Sequence, residues 1–117
     1  MARQAKKAAL NPLFTPDGRY FIVRGRLWRA TNPGLDASVR SDLVKALMQA
    51  RREVGIAIRA QDRVRLAKAR SAVDAAKVSL GERGPAWWTD GAKDYNRYLV
   101  KSSPYASWYQ KIRIAAE

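Results

Sequence analysis

Residues 36–81 read DASVRSDLVKALMQARREVGIAIRAQDRVRLAKARSAVDAAKVSLG. Apolar side chains recur at steps of three and four, first at Val39, Leu43, Leu47, Ala50, Val54 and Ile58, then at Leu66, Ala69, Val73, Ala76 and Leu80. This spacing is typical of one face of an α-helix. Asp36 or Ser38 can cap the first helix, while Gly81, Gly84 and Pro85 end the second. The pattern predicts helices over 36–60 and 62–81.

The connection between the two stripes has two interpretations. Residues 60–62 contain no strong helix breaker, although Asp62 is able to cap a new helix. An antiparallel helical hairpin is favoured, because two apolar stripes can then bury each other. The alternative is one continuous helix of roughly 43 residues, about 65 Å long, which would need a partner chain to cover its stripe.

A short β-hairpin is predicted over 19–29, within the stretch GRYFIVRGRLWR at 18–29. This segment is rich in aromatic and β-branched residues and follows a turn sequence at 15–18. Arg24 and Gly25 fit a two-residue hairpin turn, and a single bulged strand is the alternative. The hairpin needs helices to lie against, since an isolated one is unstable.

The two ends of the chain differ in character. Residues 1–12 are polar and basic and are predicted to form a mobile arm. Residues 85–115 form an aromatic-rich tail, with a short helix expected over 94–101 and a final amphipathic helix from Tyr105. The predicted fold class is α+β, mainly α, with 13–117 as a single domain and the tail wrapped on the helical hairpin.

Net charge is the strongest functional signal in the sequence. There are 23 Lys and Arg against 10 Asp and Glu, a formal charge of +13, and residues 1–35 carry seven cations against one acid. Arginine outnumbers lysine 15 to 8, which favours forked contacts to phosphate. We expect a polyanionic partner, with nucleic acid leading and DNA before RNA. The alternative is a protein-interaction module, dimeric through its long helices, that recognises an acidic protein.

Two sets of basic residues are candidate nucleic-acid contacts. Arg24, Arg26 and Arg29 lie on the hairpin beside aromatic side chains, as in a β-ribbon that enters a groove. Lys45, Arg52 and Arg59 recur at sevens on the first helix, and Arg63, Arg70 and Lys77 recur at sevens on the second. Each line lies off its apolar stripe and matches a row of phosphates. The alternative for both sets is a solvated basic surface, with Glu53 and Asp74 in local ion pairs.

Four aromatic residues are candidates for stacking on unpaired bases. Tyr20 and Trp28 belong to the hairpin, and Trp87 and Trp88 begin the tail. The alternative is that these rings pack inward, and for the tail this anchoring interpretation is favoured because large rings fill the space that alanine leaves.

Catalytic and cofactor signatures are missing. The chain contains no histidine and no cysteine, so it lacks the usual general base and the commonest metal ligands. Asp90 and Asp94, four residues apart, are the one acid pair able to share a helix face, but each also suits a local turn or cap. We expect a protein that is not an enzyme, with no cofactor and no metal. No apolar run approaches the ~20 residues that span a bilayer, and cysteine-free composition fits the cytoplasm.

The chain resembles a group of short, uncharacterised bacterial proteins. The similarity lies at 18–29, at 73–77, in LGERGPAWWTDG at 80–91, and at 94–97. It covers most of the chain after residue 17. The resemblance implies a bacterial, cytoplasmic protein, and it brings no established activity and no functional residues.

Overall fold

The computed structural model describes residues 13–116, which divide into two compact units. Among the described residues, the sheet unit comprises 13–30 and 93–116, and the helical unit is Thr31–Ala92. Both lie within the segment 13–117 for which the sequence predicts a single domain. The predicted basic arm over 1–12 lies outside the described residues.

The helical unit is built on the predicted helical hairpin. Helix α1 spans Ala37–Ala60 and helix α2 spans Arg63–Leu80, and the two helices pack against each other. Gln61 reverses the chain in the left-handed conformation, with φ of 54°. The Asp62 side chain then accepts a hydrogen bond from the Arg65 amide and caps α2. These features confirm the hairpin and exclude the single long helix.

Small side chains dominate the seam between α1 and α2. Ala50, Ala57, Ala69 and Ala76 are buried there, and Leu47 and Leu80 are the larger buried residues. The predicted stripe is confirmed along α2 and in the middle of α1. It is wrong at both ends of α1, where Val39 and Ile58 are 45% and 53% exposed. At the last turn, the neighbouring Ala57 faces the seam instead of Ile58.

The loop after α2 folds back on the helix end. Gly81 ends α2 with φ of 86°, and a methyl group there would lie 2.9 Å from Cβ of Asn32 and 3.0 Å from the Trp87 ring. The Leu80 carbonyl accepts a hydrogen bond from the Asn32 amide. Trp87 and Trp88 are half-buried and meet edge to face, with ring centroids 5.2 Å apart. Only glycine fits the crowded, left-handed position at residue 81.

The sheet unit contains three antiparallel strands in the order β1 (Leu13–Phe14), β2 (Tyr20–Val23) and β3 (Arg26–Arg29). Strands β2 and β3 form the predicted hairpin, in which Val23 pairs with Arg26 across a two-residue turn. Strand β1 was not predicted. Its two residues pair with Phe21 and Ile22, and so short a strand leaves no alternating pattern to detect.

The chain from Lys93 onward completes the sheet unit. Residues 97–100 run beside β3, where Leu27 exchanges backbone hydrogen bonds with Arg97 and Tyr98. A 3-10 turn over Val100–Ser102 and helix α3 (Ala106–Ala116) follow. The α-helix predicted over 94–101 is therefore wrong, because residues 97–100 extend beside β3 and only a 3-10 turn follows them. Within the predicted aromatic tail over 85–115, Trp87 and Trp88 belong to the helical unit, and the residues from Lys93 onward belong to the sheet unit. Among the described helices, none is both long enough and apolar enough to cross a membrane.

Candidate functional site

The sheet unit carries most of the charge asymmetry of the described chain. Its residues 13–30 and 93–116 include nine Lys and Arg but only two acidic residues, Asp17 and Asp94. The helical unit is more balanced, with eleven basic and seven acidic residues over 31–92. The hydrogen bonds and ion pairs of these two aspartates therefore decide which cations of the sheet unit remain available to a ligand.

Asp94 is bound to the interior of the sheet unit. Its carboxylate accepts hydrogen bonds from Arg29 Nη1 at 2.6 Å and from the Tyr20 hydroxyl at 3.1 Å. The Tyr20 hydroxyl in turn accepts one from the Tyr95 amide at 2.7 Å. Burial, reinforced by the Asp94 carboxylate, raises the pKa of Tyr20 well above its ordinary value despite that amide hydrogen bond. The Asp94 carboxylate is thus paired with Arg29 inside the sheet unit.

This network corrects two of the predicted contact residues. Arg29 is 2% exposed and Tyr20 is fully buried. A phosphate cannot reach Arg29, and a base cannot stack on Tyr20, without opening the sheet unit. Strand alternation explains the result, since Tyr20 and Arg29 are direct cross-strand partners on the inner face. Both residues hold the fold.

Asp17 is likewise engaged within its own turn and with the start of α3. Its carboxylate accepts hydrogen bonds from the Tyr105 hydroxyl at 2.6 Å, the Thr15 hydroxyl at 2.7 Å and the Arg19 amide at 3.1 Å. Burial alone would raise the pKa of Asp17, but these hydrogen bonds outweigh it and lower the pKa below its usual value. Asp17 therefore stays ionised, yet it faces Tyr105 and its own loop.

Three cations that lack such partners line one groove. Arg24 at the hairpin tip, Lys101 in the 3-10 turn and Arg113 on α3 surround a cleft of about 760 Å³. Within residues 13–116, none of the three forms an ion pair. Tyr109 also lines the cleft, with the Arg113 guanidinium 5.8 Å from its ring centroid. We call this cleft the cationic groove.

The apolar wall of the cationic groove is formed by Leu99, Val100, Ala106 and Ile114. A cationic rim beside an apolar and aromatic wall matches a ligand that carries both negative charge and a flat ring. Charges beside a low-dielectric wall also act more strongly than charges surrounded by water. The groove is therefore chemically suited to a nucleotide unit.

Arg24 occupies an unfavourable backbone conformation at this groove. Both residues of the hairpin turn have positive φ, 53° at Arg24 and 76° at Gly25. Such a turn favours asparagine, aspartate or glycine at its first position, and a longer side chain there is strained. Backbone strain of this kind concentrates at functional positions, where the residue type is set by what its side chain does and not by the conformation that the backbone prefers.

The other hairpin candidates lie on a second exposed part of the sheet unit. Arg26 is exposed and donates from Nη1 to the Arg97 carbonyl at 2.6 Å. Trp28 is half-buried, and the Arg97 guanidinium lies 5.9 Å from its ring centroid. Arg97 thus occupies the ring face that a base would use. Arg26 remains accessible to a phosphate, while stacking on Trp28 requires Arg97 to move.

The helical candidates are mostly solvent-exposed, as their position off the apolar stripes predicts. Arg52, Arg59, Arg63 and Arg70 are exposed, whereas Lys77 is half-buried. Glu53 pairs with Arg65 of the other helix at 2.9 Å, and Asp74 pairs with Arg83 at 3.0 Å. The exposed arginines are therefore accessible to a polyanion.

The acid pair Asp90 and Asp94 does not share a helix. Asp90 lies in a bend and accepts a hydrogen bond from the Ala92 amide, and Asp94 is paired with Arg29. Across the part of the chain that the structure describes, no three acidic side chains come together as a metal site would require.

Sequence reasoning missed most of the cationic groove. Of its three cations only Arg24 was predicted, and Lys101 and Arg113 were not. The Tyr109 and Arg113 pair has i, i+4 spacing on α3, a signal present in the sequence. Lys101 gives no such signal, because only the fold brings the 3-10 turn beside the hairpin tip.

Comparison of the chain with protein-family models, curated proteins and solved structures found no match.

Proposed function

We propose that this chain is a small, cytoplasmic nucleic-acid-binding protein, DNA before RNA, held mainly by contacts to phosphate. The cationic groove carries the proposal, since Arg24, Lys101 and Arg113 surround one cleft without an ion pair among the described residues. The +13 charge attracts any polyanion, whereas the groove adds an aromatic ring and an apolar wall that suit a base.

The groove is tested with two matched lysine variants. Lys101→Gln removes a groove cation, and Lys111→Gln removes an exposed cation on α3 that does not line the groove. Both proteins have the same net charge. Titrations with duplex DNA, single-stranded DNA and RNA at several salt concentrations measure affinity and its salt slope.

We expect affinity to fall log-linearly with salt, because each neutralised phosphate releases a counterion. Lys101→Gln should lower the salt slope by about 1 and Lys111→Gln should change it far less. Equal effects of the two variants would show that binding is diffuse and the groove is not the interface. Affinity that stays flat with salt would contradict nucleic-acid binding altogether.

Exposed apolar residues on α1 support a second function of a different class, a protein-interaction module that is dimeric through its long helices and whose +13 charge recognises an acidic partner. Val44 and Met48, four residues apart on α1, are 39% and 53% exposed. Adjacent exposed apolar side chains are a feature of protein-interaction surfaces. Sedimentation at increasing protein concentration tests self-association, and Met48→Lys should abolish any dimer that forms through α1.

A further inference from the structure

The helical unit contains a second cluster of cations that the sequence patterns did not bring together. Arg51 of α1, Arg70 of α2 and Arg83 of the loop after α2 line one pocket of about 400 Å³. Val54 and Val73, one from each helix, form the rest of its lining. The pocket thus lies over the helix seam, with apolar side chains between three guanidinium groups.

One of the three arginines is held in place. Arg83 Nη1 donates to Asp74 at 3.0 Å, and its side chain is 34% exposed compared with 60% for Asp74. This contact uses only part of the Arg83 donor set, because a guanidinium carries five N–H groups. Asp74 does not line the pocket. Arg51 and Arg70 are exposed and form no ion pair among the described residues.

The charge around this pocket is more one-sided than the unit that contains it. The helical unit has seven acidic residues for its eleven cations, yet all three charged residues lining the pocket are arginines. Asp74 offsets part of the charge of Arg83 from outside the pocket, whereas Arg51 and Arg70 have no ion pair among the described residues. Like charges that converge repel one another, and the apolar floor of the pocket strengthens that repulsion. A bound oxyanion would reverse the sign of the interaction.

We propose that Arg51, Arg70 and Arg83 form a binding site for the phosphate group of an organic phosphate ester. The planar guanidinium fork matches pairs of phosphate oxygens, and three forks suit the tetrahedral group. The two valines provide an apolar surface for the organic part of the ester. Inorganic phosphate has no such part and gains nothing from that surface. This site does not rest on the proposed function, because its residues belong to the helical unit and the cationic groove belongs to the sheet unit.

The test follows the arginine side-chain N–H resonances of the full chain during titration with three probes. These are inorganic phosphate, a nucleoside 5′-monophosphate, and a dinucleoside monophosphate that has one phosphodiester and no terminal phosphate. We expect the esters to shift the resonances of Arg51, Arg70 and Arg83 and to bind more tightly than inorganic phosphate. Binding of the monoester alone identifies a free phosphate ester as the ligand, and binding of the diester identifies a nucleic-acid backbone.

Two variants with the same net charge make the test specific. Arg70→Gln removes an exposed pocket arginine and should weaken ester binding about tenfold or more, as expected for a lost charge-assisted hydrogen bond. Lys68→Gln removes a cation of the same helix that lines a different groove, and it should leave affinity within about twofold. A thermal melt of each variant checks that the fold is intact.

The proposal is overturned by either of two results: none of the probes shifts the three arginine resonances, or Arg70→Gln binds the esters as tightly as the unaltered chain. Neither result bears on the cationic groove, whose own test uses Lys101→Gln.

Discussion

Arg24 and Arg29 belong to the same hairpin and have opposite roles. Arg29 points inward, where it is 2% exposed and paired with Asp94. Arg24 lies at the exposed turn and lines the cationic groove. Residues on a strand alternate between the two faces of a sheet, and turn residues lie outside that alternation. Identical side chains five positions apart thus serve stability in one case and, by our proposal, binding in the other.

Arg29→Gln should destabilise the sheet unit by about 2–3 kcal/mol. Removing one member of a buried ion pair leaves the other charge without a partner, and the ~3–5 kcal/mol typical of a fully buried pair is reduced here because Asp94 is 35% exposed. Urea denaturation measures the change in the free energy of unfolding. Arg26→Gln is the control, since Arg26 is exposed and should cost less than about 1 kcal/mol. Equal costs for the two variants would contradict the structural role of Arg29.

Arg24→Asn should make the protein more stable and a weaker binder of nucleic acid. Asparagine tolerates the left-handed conformation of this turn better than arginine, so we expect a gain of about 0.5–1 kcal/mol in unfolding free energy. Loss of the guanidinium removes one groove cation. Arg24→Lys is the control, because it retains the charge and the backbone strain and should change stability little. A stability gain with unchanged affinity would remove Arg24 from the proposed interface.

At the scale of elements, each of the two long helices is preceded by an aspartate at its N-cap, but only one of the two side chains makes a capping hydrogen bond. Asp62 caps α2 through its side chain, which accepts from the Arg65 amide at 3.0 Å. Asp36 precedes α1 but its side chain makes no capping hydrogen bond. Both carboxylates lie at the positive end of a helix dipole, so they differ chiefly in that hydrogen bond. The pair therefore offers a matched comparison within one unit.

Asp62→Ala should lower the free energy of unfolding by about 1 kcal/mol, the usual cost of a lost N-cap. Asp36→Ala should cost only the few tenths that the helix dipole contributes. Thermal melts of the two variants at neutral pH give the difference directly. If Asp36→Ala is as costly as Asp62→Ala, the hydrogen bond is not what stabilises the start of α2.

The elements that the sequence predicted well are those with long periodic patterns. Both helices agree with the predicted ranges to within a residue or two at each end, and the hairpin turns at Arg24 and Gly25 as predicted. Strand β1 has two residues, and the 97–100 segment pairs with β3 across about seventy residues of chain. Neither has a local pattern, since each exists only because another strand offers hydrogen-bonding groups.

At the scale of the whole molecule, the net charge of +13 predicts a polyanionic ligand but indicates no place on the surface for it. The sequence placed the interface on the hairpin and on the helix faces, by position along the chain. The structure instead groups Arg24 with Lys101 and Arg113, and Arg51 with Arg70 and Arg83. Arg29 is buried and paired with the carboxylate of Asp94, 65 residues further along the chain. Such long-range pairings leave no trace in spacing.

Added salt should stabilise this protein against heat. With 23 cations and 10 acids, repulsion among the cations destabilises the folded chain, and salt screens that repulsion. We expect Tm to rise when NaCl increases from about 10 mM to about 150 mM, where the screening length falls from roughly 30 Å to roughly 8 Å. Scanning calorimetry measures the shift, and sulfate at equal ionic strength should raise Tm further. A fall in Tm would show that attractive ion pairs outweigh the repulsion.

The sheet unit is assembled from the two separated parts of the chain, and this bears on the order of events during synthesis. Residues 37–80 are contiguous and make mostly local contacts, so α1 and α2 are able to pair as soon as both have been translated. Leu27, Tyr20 and Arg29 must wait for residues 94–98 before their hydrogen bonds are complete. We expect pulse-labelled hydrogen exchange to show protection of α1 and α2 before β3, so that a ribosome-bound nascent chain leaves β3, the strand that carries Arg26 and Arg29, exposed longest.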